Sequence, residues 1–376
     1  MGVDVGFAHA SDWLLFAAVL VYAIATLAYA AAFAFGRTAR RVKADAAETA
    51  LRGNLDETAA LPGDGVTGGI TERVLVGSAG LEVEGSVVDA SLRANTSPSG
   101  PVFGDGSRLG DDDAPPPLDR SVVTTRIGTL AVALTIVGWL LHVSSVACRG
   151  IAAHRAPWGN MYEFSSMIAL LAVTSFLFIV WRYGARDLGV FVMIPVVAYI
   201  GVAGTALYVP AGPLVPALHS YWIVIHVFAA TSATGIFLVS AVANVLFLVR
   251  DRYERVLVAG GEPRFTRFAK SLPASGALDT LSYRLAAFAF PIWTFAIIAG
   301  AIWAESAWGR YWGWDPKETW SFITWVVFAC YLHARATAGW KGRRASYLAL
   351  AGFIAFLFDF YGVNIWISGL HSYAGL

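Results

Sequence analysis

Long apolar stretches, nearly free of charge, alternate along this chain with short patches in which Lys, Arg, Asp and Glu gather. A membrane-spanning helix needs about 20 apolar residues. Eight stretches qualify, at roughly 12–35, 126–148, 162–181, 188–209, 220–249, 285–304, 320–338 and 346–369. The fifth is long enough to project beyond a bilayer. In lipid the backbone must satisfy its hydrogen bonds within the segment, so each stretch is read as a helix. The pattern predicts an all-α fold, a polytopic transmembrane helix bundle of about eight spans.

Composition agrees with this reading. The chain is 57% hydrophobic and 14% charged, against about 25% charged in soluble domains. Charge placement sets the orientation. With the N-terminus outside, only Arg149, Arg155, Arg310 and Lys317 of the 27 Lys and Arg fall in outer loops. Inner clusters include Arg37-Arg40-Arg41-Lys43, Arg250 to Lys270, and Lys341-Arg343-Arg344. The positive-inside rule then predicts a multi-pass membrane protein with both termini outside. A net charge of +1 gives no reason to expect nucleic acid. Cys148 and Cys330 sit in or beside separate apolar stretches, which argues against a disulfide framework or a thiolate metal site. The first apolar run has no basic segment before it and is read as a span, not a cleaved signal.

Three regions follow: an N-terminal transmembrane helix at 1–36, an inserted cytoplasmic segment at 37–121, and a transmembrane domain at 122–376. The insertion is rich in Gly, Asp, Ser, Ala and Pro, with Asp111-Asp112-Asp113 and Pro115-Pro116-Pro117. It is expected to be largely disordered, with a weak hairpin at most over Arg73–Val88.

The most informative stretch is the outer loop at 308–320, containing Trp308, Trp312, Trp314 and Trp320 interleaved with Gly309 and Gly313. Part of it is helix grammar: Asp315 suits an N-cap, Pro316 the first helical position, and Glu318 completes a capping box. An interfacial aromatic belt would explain one or two tryptophans. Four in thirteen positions, with glycines that let a flat object approach, suit a large planar apolar ligand.

Seven histidines occur. His226 near the outer end of the fifth span and His371 after the eighth flank this loop. His333 lies roughly 26 Å deeper along the seventh span, near the inner face. Neutral imidazole is a good axial ligand for haem iron. Two imidazoles on opposite faces leave no open coordination position, which suits holding or transferring haem. For any lone membrane histidine the plainer reading is a hydrogen bond to a neighbouring helix. That reading is preferred for His142, His154 and His219, and His9 is taken as incidental. Asn160 and Glu163 are read as capping or interhelix groups. Asp359 and Asn364, polar inside the eighth span, are functional candidates. No residue looks like a required nucleophile.

Trp308-Gly-x-x-Trp312-x-Trp314-Asp315-Pro316-x-Glu318-x-Trp320 resembles the WWD motif of haem-handling membrane proteins. The chain is most similar to the CcsA/ResC type of System II cytochrome c biogenesis, called CcsB in actinobacteria. Supporting stretches run from His154 to Glu163, Leu218 to Val227, Tyr331 to His333, and Gly362 to Tyr373, in matching order over about 126–376. The resemblance implies that His226 and His371 hold haem b at the tryptophan-rich loop on the extracytoplasmic face, and that His333 belongs to an inner haem site. The opposite ligand there is expected from a ResB-type membrane partner. An apocytochrome c with a Cys-x-x-Cys-His segment and thiol-reducing proteins are the further partners implied. Arg310 or Lys317 is a candidate to pair a haem propionate. The expected function is haem delivery across the membrane and presentation for covalent attachment, within a cytochrome c synthase. A haem exporter without ligase activity and a b-type electron carrier are the alternatives.

Overall fold

The computed structural model describes residues 2–59, 120–213, 218, 220–261 and 266–371. The chain divides into two units, one of Met1–Lys43 with Asp119–Leu376 and one of Ala44–Leu118; the first carries everything below. His219, the Arg73–Val88 hairpin, the Asp and Pro runs at 111–117, and Ser372 and Tyr373 lie outside the described residues.

All eight expected stretches are helical: α1 (Val5–Ala59), α2 (Arg120–Ala153), α3 (Met161–Tyr183), α4 (Gly189–Ala206), α5 (Tyr221–Val258), α6 (Ser275–Trp308), α7 (Pro316–Ala336) and α8 (Arg343–Leu357). A π-turn, Phe358–Gly362, and a helical turn, Val363–Trp366, extend α8. No strand occurs among the described residues. Helix α1 is apolar only as far as Gly36 but remains helical to Ala59, so the inserted segment begins as helix instead of loop. Its first residues are rich in Ala, Arg, Lys and Glu, good helix formers that need no lipid.

Among the described residues seven helices are long and apolar enough to cross a membrane, and α7 is not one of them. Its polar residues, Lys317, Glu318, His333 and Arg335, lower its hydropathy. It nevertheless runs the full thickness of the bundle. Its start is fastened beside His371 and its end beside the first turns of α6, where Arg335 meets Asp279 at 2.7 Å. At 1.5 Å per residue, its 21 residues span about 31 Å. The protein is therefore a multi-pass helical membrane protein.

Local sequence sets the helix ends. Asn160 caps α3 by accepting from the Glu163 N–H at 2.9 Å, and Ser220 caps α5. Gly184 and Gly309 close α3 and α6 in the left-handed conformation, at φ 64° and 70°. The core lies between α3, α5, α6, α7 and α8. There Phe237 and Phe328 stack with centroids 3.9 Å apart, and Trp293 meets Phe356 edge-on at 5.8 Å. Polar side chains bond across helices, as burial in lipid demands: His142 to Ser166 at 2.9 Å, Trp325 to Thr294 at 2.9 Å, and Ser346 to Asn244 at 2.8 Å. The plain reading of His142 thus holds.

Up-and-down packing collects one set of ends. The Asp4 N–H bonds the Ala152 carbonyl, and Arg149 reaches both Glu163 and the Val209 carbonyl. The start of α1, the α2–α3, α4–α5 and α6–α7 loops and His371 therefore share one end of the bundle. His333 lies near the other end of α7, exposed.

Candidate functional site

A cavity opens at the loop-rich end, walled by α3, α5, α6, α7, the π-turn and the segment that carries His371. The cavity has room of about 150 Å³ for the centre of a water molecule, and all the space free of protein atoms, open solvent included, is about 1060 Å³. Ligand pockets commonly hold about 300–1,000 Å³. A large ligand would therefore rest partly in the mouth.

His226 and His371 both line this cavity. Helix α5 carries His226 against α6, where its Nδ1 lies 2.7 Å from the Ala296 carbonyl oxygen. A carbonyl only accepts, so Nδ1 carries the proton and Nε2 keeps a lone pair. Gly300 makes room for this: a Cβ there would stand 2.7 Å from the imidazole ring. His371 is fixed in the same way from the other side. Its Nδ1 lies 2.8 Å from Asp315 Oδ2, so that N–H donates and Nε2 is again the acceptor. Asp315 Oδ1 accepts the Leu370 N–H at 2.8 Å. Burial holds the His371 imidazole below its ordinary value, against the pull of Asp315. Burial alone would raise the Asp315 carboxyl, but hydrogen bonds from His371 and the Leu370 N–H hold it below the usual carboxylate range. The result outside the spans is a neutral imidazole on an ionised carboxylate.

Asp315 does two jobs. It caps α7 by accepting from the Lys317 N–H at 3.3 Å, while Glu318 Oε2 accepts the Asp315 N–H at 3.1 Å. The expected capping box is present, and Pro316 stands at the expected place.

The aromatic wall differs from the expected one. Trp308 and Trp312 line the cavity; Trp314 and Trp320 do not. Trp314 is 65% exposed, and Trp320 packs against Phe358 at 4.2 Å. The indole joining the two histidines is Trp303, buried in α6. It stacks on His226 at 7° with centroids 6.2 Å apart, and it lies 5.8 Å from His371. Trp308 meets His371 edge-on at 4.9 Å. Sequence reasoning missed Trp303 because one tryptophan in an apolar helix looks like core. The loop glycines also serve a different purpose: Gly309 is the left-handed cap, and a Cβ on Gly313 would collide with the Arg310 guanidinium.

Three of the four basic residues at this end are ion-paired. Arg149 and Arg155 both pair with buried Glu163, at 3.0 and 2.7 Å, which ties the α2–α3 loop together. Arg310 pairs with Glu318 at 3.2 Å. Lys317 alone of the four reaches into the cavity wall. His154 and Asn160 stay outside that wall, whereas Asp359 and Asn364 are part of it.

Among the described residues no three His, Cys, Asp or Glu side chains gather to hold a bare metal ion. Two imidazole donors beside flat indoles suit a metal that brings its own planar macrocycle.

Residues 158–371 match the family described as cytochrome C assembly protein. The chain belongs to that family. Among its relatives, a cytochrome c biogenesis protein CcsA of Picosynechococcus sp. is 35% identical over 302 residues, covering 66% of this chain and 88% of the relative. CcsA of Gloeobacter violaceus is 36% identical, covering 66% and 86%, and that of Porphyra purpurea 34%, covering 66% and 88%. The CcsA-type assembly proteins are thus matched over the part of the chain that builds the cavity, which places its role in cytochrome c maturation. The matched segment begins after the inserted segment and runs from Trp158 to His371, so it holds every residue of the wall.

Proposed function

We propose that this assembly protein carries haem b across the bacterial cytoplasmic membrane and presents it at the extracytoplasmic end to an apocytochrome c. It would act as the haem-delivering subunit of a System II synthase. One observation carries the reading. Two imidazoles on separate elements each have Nδ1 engaged by an acceptor, and both side chains line one cavity rimmed by indoles. Neutral Nε2 donors are what haem iron takes as axial ligands.

In this reading His226 and His371 hold the iron. Trp303, Trp308 and Trp312 offer apolar faces to the porphyrin. Asp315 keeps His371 in the ligating tautomer. The near absence of Lys and Arg at this end supports its assignment to the outside. At the other end His333, exposed in the isolated chain, would ligate haem together with a histidine from a ResB-type partner. The apocytochrome brings a Cys-x-x-Cys-His segment whose histidine replaces one imidazole. Each cysteine S–H then adds across one haem vinyl group, sulfur to one carbon and hydrogen to its neighbour, with no net electron transfer. Thiol-reducing proteins keep those cysteines available. The chain's own contribution is positioning, which can supply much of a barrier reduction without any nucleophile.

Coexpression with the partner and an apocytochrome tests this. Covalent haem on the cytochrome supports a synthase; free haem outside with none attached would replace the reading with export. In purified protein, His226→Ala and His371→Ala should each lose the low-spin reduced spectrum, with partial recovery in added imidazole. Normal spectra in both would end the assignment. His333→Ala should lower total haem loading.

A further inference from the structure

Lys317 stands apart from the other cations of the site end. The Arg149, Arg155 and Arg310 guanidiniums are each held by a glutamate. Among the described residues Lys317 has no carboxylate within ion-pair contact; its ammonium makes one hydrogen bond, to the Asp359 main-chain carbonyl at 2.8 Å. An ammonium has three N–H donors, so two remain for something else. Lys317 lines the same cavity as His226 and His371, and its Nζ sits 5.4 Å from the Phe360 ring centroid.

The π-turn creates this perch. Its wide winding pairs the Val363 N–H with the Phe358 carbonyl, and side chains take up the next two carbonyls. Lys317 donates to that of Asp359, and the Asn364 amide donates to that of Phe360. Such widened turns recur at functional sites because they turn backbone groups toward a ligand or side chain. Asp359 itself is 3% exposed, and its Oδ1 is buried with no hydrogen-bond partner. Both polar groups also line the cavity. A buried carboxylate oxygen and two spare ammonium hydrogens at one apolar site form an unfinished polar pole.

We propose that Lys317, perched on the π-turn, receives a carboxylate of the cavity's ligand, so that the cavity selects planar ligands bearing an acidic side arm. This rests on the haem reading above and gives it a polarity: the propionate edge of the porphyrin faces the π-turn, and the vinyl edge faces away from it. Arg310, the other candidate, is committed to Glu318. The neighbouring Asp359 carboxylate opposes an incoming anion, so it tempers the affinity and favours release once the haem is attached.

The test compares haem with its dimethyl ester, in which both propionates are masked, by Soret titration of the purified full chain. Wild type should bind the free acid about 10- to 100-fold more tightly, the range of a hydrogen-bonded charge pair. Lys317→Met should lose that preference yet keep the low-spin spectrum of two imidazoles, and Lys317→Arg should retain most of it. Asp359→Asn should widen the preference. A wild type indifferent to esterification, or a Lys317→Met protein that still discriminates, overturns the proposal while leaving His226 and His371 as ligands. If wild type shows no histidine-dependent low-spin spectrum with either compound, the haem reading falls and this proposal with it.

Discussion

Replacing Asp315 by Asn removes a charge and leaves the shape. Asn is an equally good N-cap, so α7 should start where it does now, with Glu318 still closing the capping box. The change is felt on the other side of the residue. Asp315 uses both oxygens as acceptors toward the last described segment: Oδ2 for His371 Nδ1 and Oδ1 for the Leu370 N–H, each at 2.8 Å. An amide has one acceptor and one donor group, so one of these N–H groups must face an NH2. Losing a hydrogen bond to a charged group costs about 1.5–3 kcal/mol. Loss of the partner that orients a ligating histidine typically costs 10- to 100-fold in metal affinity, or about 1.4–2.7 kcal/mol. The two estimates agree. Asp315→Asn should bind haem 10- to 100-fold more weakly and show a partial shift toward high spin.

The pH dependence separates this from misfolding. His371 titrates below its ordinary 6.5, mainly through burial, with Asp315 pulling it back up. Ligation and stability from the neutral ring are complete above 6.5. They are lost as pH falls through the lowered folded value. Asp315 lies below its ordinary 3.8, held there by its bonds from His371 and the Leu370 N–H. In Asp315→Asn the upward pull is gone, so the acid limb of haem binding should move to lower pH while neutral affinity falls. Soret titrations at a series of pH values read both. An unchanged affinity, or an acid limb that moves upward, would refute the reasoning.

Three further substitutions probe the surroundings. Gly300→Ala places a methyl 2.7 Å from the His226 ring; it should push the imidazole off its Ala296 bond and weaken haem binding, and a wild-type titration would show the ring has room. Trp303→Ala should destabilise the site end by about 3–5 kcal/mol, seen as a lower melting temperature in detergent, with Trp303→Phe much milder. Glu163→Gln leaves two buried guanidiniums facing a neutral amide and should cost about 3–5 kcal/mol; the protein that does fold should keep its haem spectrum, since Glu163 lies outside the cavity wall.

Apolar runs revealed the helices because lipid imposes one rule on every span. What they could not reveal is where a helix stops once it leaves the apolar layer: α1 continues 23 residues past Gly36 on helix propensity alone. Helix α7 is the marginal case: its apolar run at 320–338 marks it as a helix, yet the whole helix is too polar to stand among the candidate spans of the described residues. His226 and His371 were expected to flank the loop from the outer ends of their helices, and both line one cavity. Trp303 and Gly300 were not legible, because a tryptophan and a glycine in an apolar helix carry no local mark. Their roles arise only where α5 lies against α6.

The loop's sequence supported two readings that looked like rivals, an ordinary helix start and a ligand site. The geometry makes them one device. A capping box requires an acidic or hydroxyl side chain at the N-cap and a Glu three residues on, and here the N-cap carboxylate also accepts from His371 on the capping oxygen, Oδ2, and from the Leu370 N–H on Oδ1. A Ser or Thr cap would start the helix equally well, yet it could not hold a neutral imidazole with a full negative charge. Asp at 315 therefore serves both the helix start and the His371 imidazole. Because α7 runs from this carboxylate to the Arg335–Asp279 pair, one helix links the anchor of His371 to the far end of the bundle.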